Sequence, residues 1–273
     1  MEVILLILAV DIGNTNIVLG CFDNDQLVQE FRIKTDISRT ADEYRAMLIS
    51  LLGAKFGKDV RFDGAIISSV VPPLTAPFSE LIKTEFNLDA LIVSNKLNIS
   101  GIELKVGKPE TLGADRIVDI VAAKFDYGMP SLVVDFGTAT TFEFIDSKNC
   151  YHSGAIIPGL NICLDALISK TAQLPKIEKK FPNTVLATDT ITAIQAGTLV
   201  GYECLIRGLI EYTEKEAGED IEHIIFTGGL GRIFSERINE VTKNDKKIGK
   251  SKQIIYDGGL TLRGIYYVWK LNQ

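Results

Sequence analysis

Two short strings in this sequence set hydroxyl, amide and carboxylate groups around a glycine: DIGNTN at 11–16 and DFGTATT at 135–141. In each, an apolar run delivers an aspartate, Asp11 or Asp135, and the glycine two residues on, Gly13 or Gly137, frees the backbone to turn sharply. Asn14, Thr15 and Asn16 add side-chain donors beside exposed amides in the first string; Thr138, Thr140 and Thr141 do so in the second. Such groups around a glycine turn suit phosphate oxygens, and a carboxylate at a strand end can hold a cation or order its water shell. The Walker string GxxxxGK[ST] is absent, so this is a different phosphate chemistry. Either loop alone reads equally as a hairpin turn rich in Asn, Gly and Thr. Two of them at equivalent places in two similar halves point to phosphate binding. A third glycine turn, Phe226-Thr227-Gly228-Gly229, follows a strand and would let a base or ribose approach the backbone.

A second kind of chemistry lies at 113–116, GADR. It opens an amphipathic helix in which Ile117, Val118, Ile120, Val121 and Phe125 face the core. Asp115 and Arg116 fall in the first turn, where a helix N-terminus favours anions. On spacing alone a solvated Asp-Arg pair capping the helix is the simpler reading. Thr190, in TDTITAIQAG (188–197), reads on the same terms as an N-cap hydroxyl.

The elements that must position these groups follow from periodicity. VILLILAV (3–10) reads as a buried central strand, being far too short to cross a membrane and lacking a basic leader or cleavage site. NIVLGCF (16–22), the turn DND (23–25) and LVQEFRIKT continue it as a meander, with Leu27, Phe31 and Ile33 on one face. Thr40 and Glu43 form a capping box ahead of Tyr44, Met47, Leu48, Leu51 and Leu52 at helical spacing. A strand GAIISSVV (64–71) stops at Pro72-Pro73, and a helix at about 75–86 and a strand ALIV (90–93) follow.

The second half repeats that order: SLVVD (131–135), then TTFEFID and YHSGAIIP, then a helix after Pro158-Gly159. A longer helix over roughly 190–216, the strand HIIFTGG (223–229), a helix, QIIY (253–256) and a closing helix from about 260 complete it. Self-similarity about 124 residues apart predicts a duplicated α/β fold, with domains 1–123 and 124–273. Each is a mixed sheet flanked by helices, and the ATP cleft is expected between the two.

Composition narrows the partners. With 29 basic against 35 acidic residues the net charge is −6, which argues against a nucleic-acid partner. The one basic stretch, Lys243 to Lys252 (KNDKKIGKSK), is broken by Asn, Asp and Gly and reads as a solvated loop. Cys21, Cys150, Cys163 and Cys204 lack zinc-like spacing with the two histidines, His152 and His223. They read as reduced thiols in or near the core of a cytoplasmic, non-membrane protein.

The order of motifs carries a resemblance. DIGNTN, GADR, DFGTATT, IIPG (156–159), TDTITAIQAG, TGG (227–229) and DGGLTLRG (257–264) stand as in type III pantothenate kinases, over essentially the whole chain. That family belongs to the ribonuclease H-like superfamily of acetate and sugar kinases, chaperone ATPases and actin. The resemblance implies transfer of the ATP γ-phosphate to pantothenate, with Mg²⁺, a monovalent cation (potassium or ammonium) and a homodimer. It implies Asp115 as the catalytic base and Gly113, Ala114, Asp115, Arg116 and Thr190 as pantothenate contacts. It implies ATP contacts from Asp11, Ile12, Gly13, Asn14, Thr15, Asn16, Ile17, Val18 and Thr138, and Asp135 as the monovalent-cation ligand. One departure stands out: the family often has a tyrosine where this chain has Val106, three residues before Pro109. Two other readings keep the fold: a nucleotide-binding regulatory homologue without turnover, and another kinase of the superfamily.

Overall fold

The computed structural model describes residues 6–57, 60–171, 174–244 and 253–273. The first residues of the N-terminal apolar run and residues 245–252 of the basic stretch lie outside the described residues. The chain forms two compact units, one of residues 1–126 with 259–273 and one of residues 127–258. The sequence repeat places everything after 123 in the second half. The structure instead returns the C-terminal helix to the first unit, where glycine-to-backbone packing holds it.

In the first unit β1 (Leu6–Ile12), β2 (Asn16–Asp23) and β3 (Gln26–Lys34) form an antiparallel meander. Asn24 and Asp25 join the last two strands with φ of 44° and 70°, a left-handed turn that matches strand twist. After α1 (Ala41–Phe56), strand β4 (Phe62–Ser69) adds parallel to β1. Then α2 (Pro72–Phe86) leads to β5 (Leu91–Ile92), giving the order β3-β2-β1-β4-β5, and a two-residue strand β6 (Glu103–Leu104) follows in the chain. The expected capping box is present, with Glu43 N–H donating to Thr40 Oγ1 at 3.3 Å and Thr40 N–H to Glu43 Oε2 at 2.8 Å. Helix α2 starts three residues earlier than expected because Pro72 and Pro73 occupy its first turn, where a missing N–H costs nothing.

Alternation divides the sheet. Leu8, Val10 and Ile12 of β1 and Ala65 and Ile67 of β4 pack with Tyr44, Leu48 and Leu52 of α1 and Phe78 and Ile82 of α2. The opposite face is covered by α3 (Ala114–Asp126) and α8 (Leu260–Leu271). There Phe22 stacks on Tyr266 at 4.5 Å, and Gly20 and Gly64 leave room for Leu262 and Trp269. Phe125, expected in the core, is exposed at the penultimate residue of α3, with one side of its ring against Tyr267 of α8.

The second unit has the same plan. β7 (Ser131–Phe136) pairs antiparallel with β8 (Ala139–Ile145) and parallel with β11 (His223–Gly228), which pairs with β12 (Ile254–Tyr256). β9 (Cys150–Tyr151) and β10 (Ile156–Pro158) both pair with β8. Helices α4 (Leu160–Ser169), α6 (Gly201–Ala217) and α7 (Gly231–Asn244) supply Leu164, Ile206, Ile210, Phe234 and Ile238 to a core with Leu132, Val134, Phe136 and Phe142. The expected long helix divides into α5 (Thr190–Gln195), a π-helical turn at Ala196–Val200, and α6. Such turns insert a residue without breaking the helix and recur at functional sites. Cys21 and Cys150 are buried as expected, burial pushing the Cys21 thiol up to about 12, whereas Cys204 is exposed on α6.

A Cβ on Gly264 of α8 would overlap the Val118 carbonyl of α3. Gly264→Ala should therefore destabilise the protein by about 1–3 kcal/mol, the usual cost of overpacking. Gly53→Ala, whose Cβ meets nothing within 4 Å, should be neutral or stabilising by about 0.4–1 kcal/mol. Urea unfolding of the two variants tests the contrast.

Candidate active site

The first loop closes the β1–β2 hairpin. Asp11 lies one residue from the end of β1, paired with Val18 on β2 and Ser68 on β4. Gly13 N–H donates to Asn16 O at 3.0 Å, and Thr35 braces the turn through its N–H to Thr15 O (3.0 Å) and Oγ1 to Gly13 O (2.6 Å). Gly13 does not take a left-handed φ. Its glycine requirement is one of space, since a Cβ there would lie 3.1 Å from Asn16 O. Asn14 and Thr15 are exposed and Asn16 half-buried, whereas Ile12, Ile17 and Val18 are buried. A ligand at this loop can meet Asn14 and Thr15 by side chain, but the three apolar residues only by main chain.

The second loop is built similarly but is shorter. The last cross-strand pair is Ile12↔Ile17 in the first hairpin and Phe136↔Thr140 in the second, so residues 13–16 become 137–139. Gly137 N–H donates to Ala139 O at 3.1 Å. Thr138 is exposed, and its carbonyl accepts from Gly159 N–H at 3.0 Å. A Cβ on Gly159 would overlap the carbonyls of Gly137 and Thr138, so Pro158-Gly159 brings the start of α4 backbone to backbone with the loop. The Asp135 carboxylate lies between two glycines. A Cβ on Gly137 would sit 3.5 Å from Oδ2, and one on Gly228 would overlap Oδ1. Gly228 also has φ +78°, and Gly229 beyond it faces open space while donating to Phe136 O at 3.1 Å.

At the start of α3, Gly113 provides the N-cap carbonyl that accepts from Ile117 N–H at 3.2 Å. Asp115 Oδ1 accepts from Arg116 N–H at 2.8 Å, satisfying one of the helix's unpaired amides. A Cβ on Gly113 would overlap that carboxylate and lie 3.7 Å from Val70 Cγ1. Desolvation by burial is the main influence on Asp115, raising its pKa above the usual carboxylate value; the Arg116 N–H and guanidinium act in the lowering direction. Ala114 is buried and Arg116 half-buried. Val70 follows β4, and its N–H donates to Ile12 O at 3.0 Å. The structure thus brings Asp11 and Asp115 to one corner of the first unit.

Thr190 is exposed at the first residue of α5. Its expected capping role belongs to Asp189, which accepts from Thr192 N–H at 2.9 Å and Thr192 Oγ1 at 2.7 Å. The Thr190 hydroxyl is therefore not committed to the cap. Sequence reasoning missed Tyr202, whose OH lies 2.8 Å from Thr140 Oγ1 and 3.0 Å from Pro158 O, tying α6 to the second loop. Nothing in its spacing marks it apart from a core aromatic. It also missed Ser68, visible only through its register with Asp11.

The family model described as type III pantothenate kinase matches residues 7–212. A type III pantothenate kinase of Exiguobacterium sp. strain AT1b is 39% identical over 98% of this chain and 100% of its own length. One from Bacillus cytotoxicus is 37% identical over 98% and 97%. Among solved structures, component A of the (R)-2-hydroxyglutaryl-CoA dehydratase of Acidaminococcus fermentans matches with TM-score 0.56 at 10% identity, over 98% of this chain and 100% of that one. A ROK family glucokinase from Streptomyces griseus, solved with glucose and AMPPNP, matches with TM-score 0.50 at 14% identity, over 98% and 99%. These two show the fold, an α/β architecture of mixed sheets flanked by helices.

The two spacer glycines should respond differently to a methyl group. At Gly113 the obstacle is the end of a side chain, which can rotate away, so Gly113→Ala should change stability by less than about 1 kcal/mol while displacing Asp115. At Gly228 the obstacles are backbone and a left-handed φ, so Gly228→Ala should cost roughly 1–3 kcal/mol. Thermal unfolding of both variants checks the ranking.

Proposed function

The chain belongs to the type III pantothenate kinase family, and on that premise we propose how its residues move the γ-phosphate of ATP to pantothenate. The reaction itself needs mainly positioning and charge neutralisation. The observation that carries the reading is the half-buried Asp115 at the helix start, held by Arg116 N–H and spaced by Gly113. A carboxylate so placed takes or orients the proton of the attacking primary hydroxyl. Arg116, at the same N-terminus, pairs with the pantothenate carboxylate through its guanidinium fork. Gly113 and Ala114 offer main chain to the same substrate, and Thr190 offers its hydroxyl. Val106 removes one hydrogen bond that a tyrosine would make, worth about 1 kcal/mol.

Residues 11–18 are assigned to ATP, with Asn14 and Thr15 as side-chain donors, and Thr138 is assigned to ATP on the second loop. Kinases of this kind use a divalent cation such as magnesium, which neutralises phosphate charge when bound with the nucleotide. Among the described residues no group of three or more His, Cys, Asp or Glu lies together. Single carboxylates completed by phosphate oxygens and water suit magnesium. Asp135 is assigned to potassium or ammonium. The lack of a Cβ at Gly137 and Gly228 lets its carboxylate sit between them, and carboxylate oxygens suit a hard cation.

A homodimer is proposed from the apolar side chains of the second unit: Ile156, Ile162, Val185, Leu186 and Ile191 are exposed, Leu186 at 83%. Surface of that kind marks an interaction site. A cytoplasmic location is proposed from four free cysteines; among the described residues no helix is long and apolar enough to cross a membrane.

ATP consumption measured with and without pantothenate, in magnesium and potassium buffer, tests the reaction; no pantothenate dependence would refute it. Replacing potassium by sodium should lower the rate, and equal rates would remove the cation from Asp135. Asp115→Asn should abolish phosphorylation without loss of stability. The sign follows from the raised pKa: the unfolded chain releases this proton first, so the native state is penalised as pH rises through the interval between the two values. The neutral amide escapes that penalty, and its oxygen can still accept from Arg116 N–H. For the same reason the acid limb of kcat/KM should lie above the usual carboxylate range. A variant with near-normal turnover would reassign the base.

A further inference from the structure

Ser68 is 0% exposed, and its Oγ has no hydrogen-bond partner within the chain. The adjacent Ser69 is fully engaged by comparison, accepting from Thr75 Oγ1 at 2.8 Å and Val71 N–H at 3.2 Å. A buried hydroxyl left unpaired is costly and uncommon in native proteins. Its place in the sheet indicates what would pair with it. Ser68 is in parallel register with Asp11, so both side chains leave the sheet on the same side, away from α1 and α2. Just past the end of β4, Val70 lies against the Gly113 position that the Asp115 carboxylate also approaches. Ser68 therefore floors the corner between Asp11 and the start of α3. The second unit repeats the placement: Asp135 is in parallel register with Thr227, another buried hydroxyl residue.

We propose that Ser68 is a positioning residue for nucleotide binding. When the phosphates engage the first loop, its hydroxyl turns to donate to the Asp11 carboxylate and fixes that carboxylate's orientation. Adjacent strands lie about 4.8 Å apart, so one change of side-chain rotamer brings Oγ into reach. An O–H donated to an ionised carboxylate is among the stronger hydrogen bonds. The bond forms only with nucleotide present, so the free protein carries the unpaired hydroxyl and the complex recovers it. This rests on the assignment of residues 11–18 to ATP.

The test uses the full-length protein without pantothenate, with magnesium-ATP binding measured by calorimetry and free-protein stability by thermal unfolding. Ser68→Ala should weaken nucleotide binding about tenfold and leave the midpoint of the free protein unchanged or higher. Ser68→Cys, which keeps the size but donates weakly, should behave as Ser68→Ala. Combining Ser68→Ala with Asp11→Asn should add nothing to Asp11→Asn alone. A lower midpoint with unchanged affinity would make the hydroxyl merely structural, and normal affinity in Ser68→Cys would make the effect one of packing. Additive losses would place its action elsewhere. If Asp11→Asn binds nucleotide normally, the assignment of the first loop fails; if only Asp11→Asn loses affinity, the Ser68 inference alone fails.

Discussion

Everything at the candidate site depends on one pairing, that of a central strand with a parallel neighbour at its carboxyl end. β1 pairs in parallel with β4, and β7 with β11, each central strand having an antiparallel hairpin on its other side. Antiparallel partners reverse direction at the loop, so only the parallel neighbour ends at the same edge and brings a second loop there. The register fixes the chemistry: Asp11 faces Ser68 and Asp135 faces Thr227. A slip of one residue would turn each aspartate into the opposite, apolar face. The alternating cores under both sheets, Val10 and Ile12 in one and Val134 and Phe136 in the other, exclude that slip.

The price of this arrangement is charge placed where water is scarce. Asp115 sits at a helix N-terminus, which favours a carboxylate, yet burial dominates and raises its pKa. A more exposed aspartate would fold at lower cost but would be a weaker base. Gly113 is part of the same compromise, because any larger residue would occupy the space into which the carboxylate folds. The glycines around both aspartates act mainly by exclusion of side-chain volume, and only Gly228 adds a conformational demand.

Much of this was legible in the sequence because it is local. The strands ending in Asp11 and Asp135, the Thr40–Glu43 cap and the GADR helix start are set by residues within a few positions of one another. What was illegible is non-local. The return of α8 to the first unit depends on Gly264 meeting the Val118 carbonyl, a contact between residues far apart in the chain. Phe125 matches the apolar stripe of α3 by spacing, yet at the last turn of the helix Tyr267 covers only part of it and it stays exposed. Gly13 was expected for its conformational freedom, whereas hairpin geometry uses it for its size. On spacing Thr190 read as a cap, but Asp189, one residue earlier, is the N-cap, and its charged carboxylate accepts from Thr192 N–H.

The two loops resemble each other in sequence more than in construction. The first has an extra residue, and its bracing comes from Thr35 in the next strand of the same meander. The second is tighter and is braced from outside the hairpin, by Gly159 at the start of α4 and Tyr202 on α6. Tyr202 follows the π-helical turn, and Thr190 opens α5 on the other side of it. A residue inserted in a continuous helix rotates everything after it by about 100° relative to what precedes it. Without that turn, Tyr202 could not point at Thr140 while Thr190 keeps its present side of the helix. The first loop is thus a self-contained grip, whereas the second is tied through one helix to the residue assigned to the acceptor.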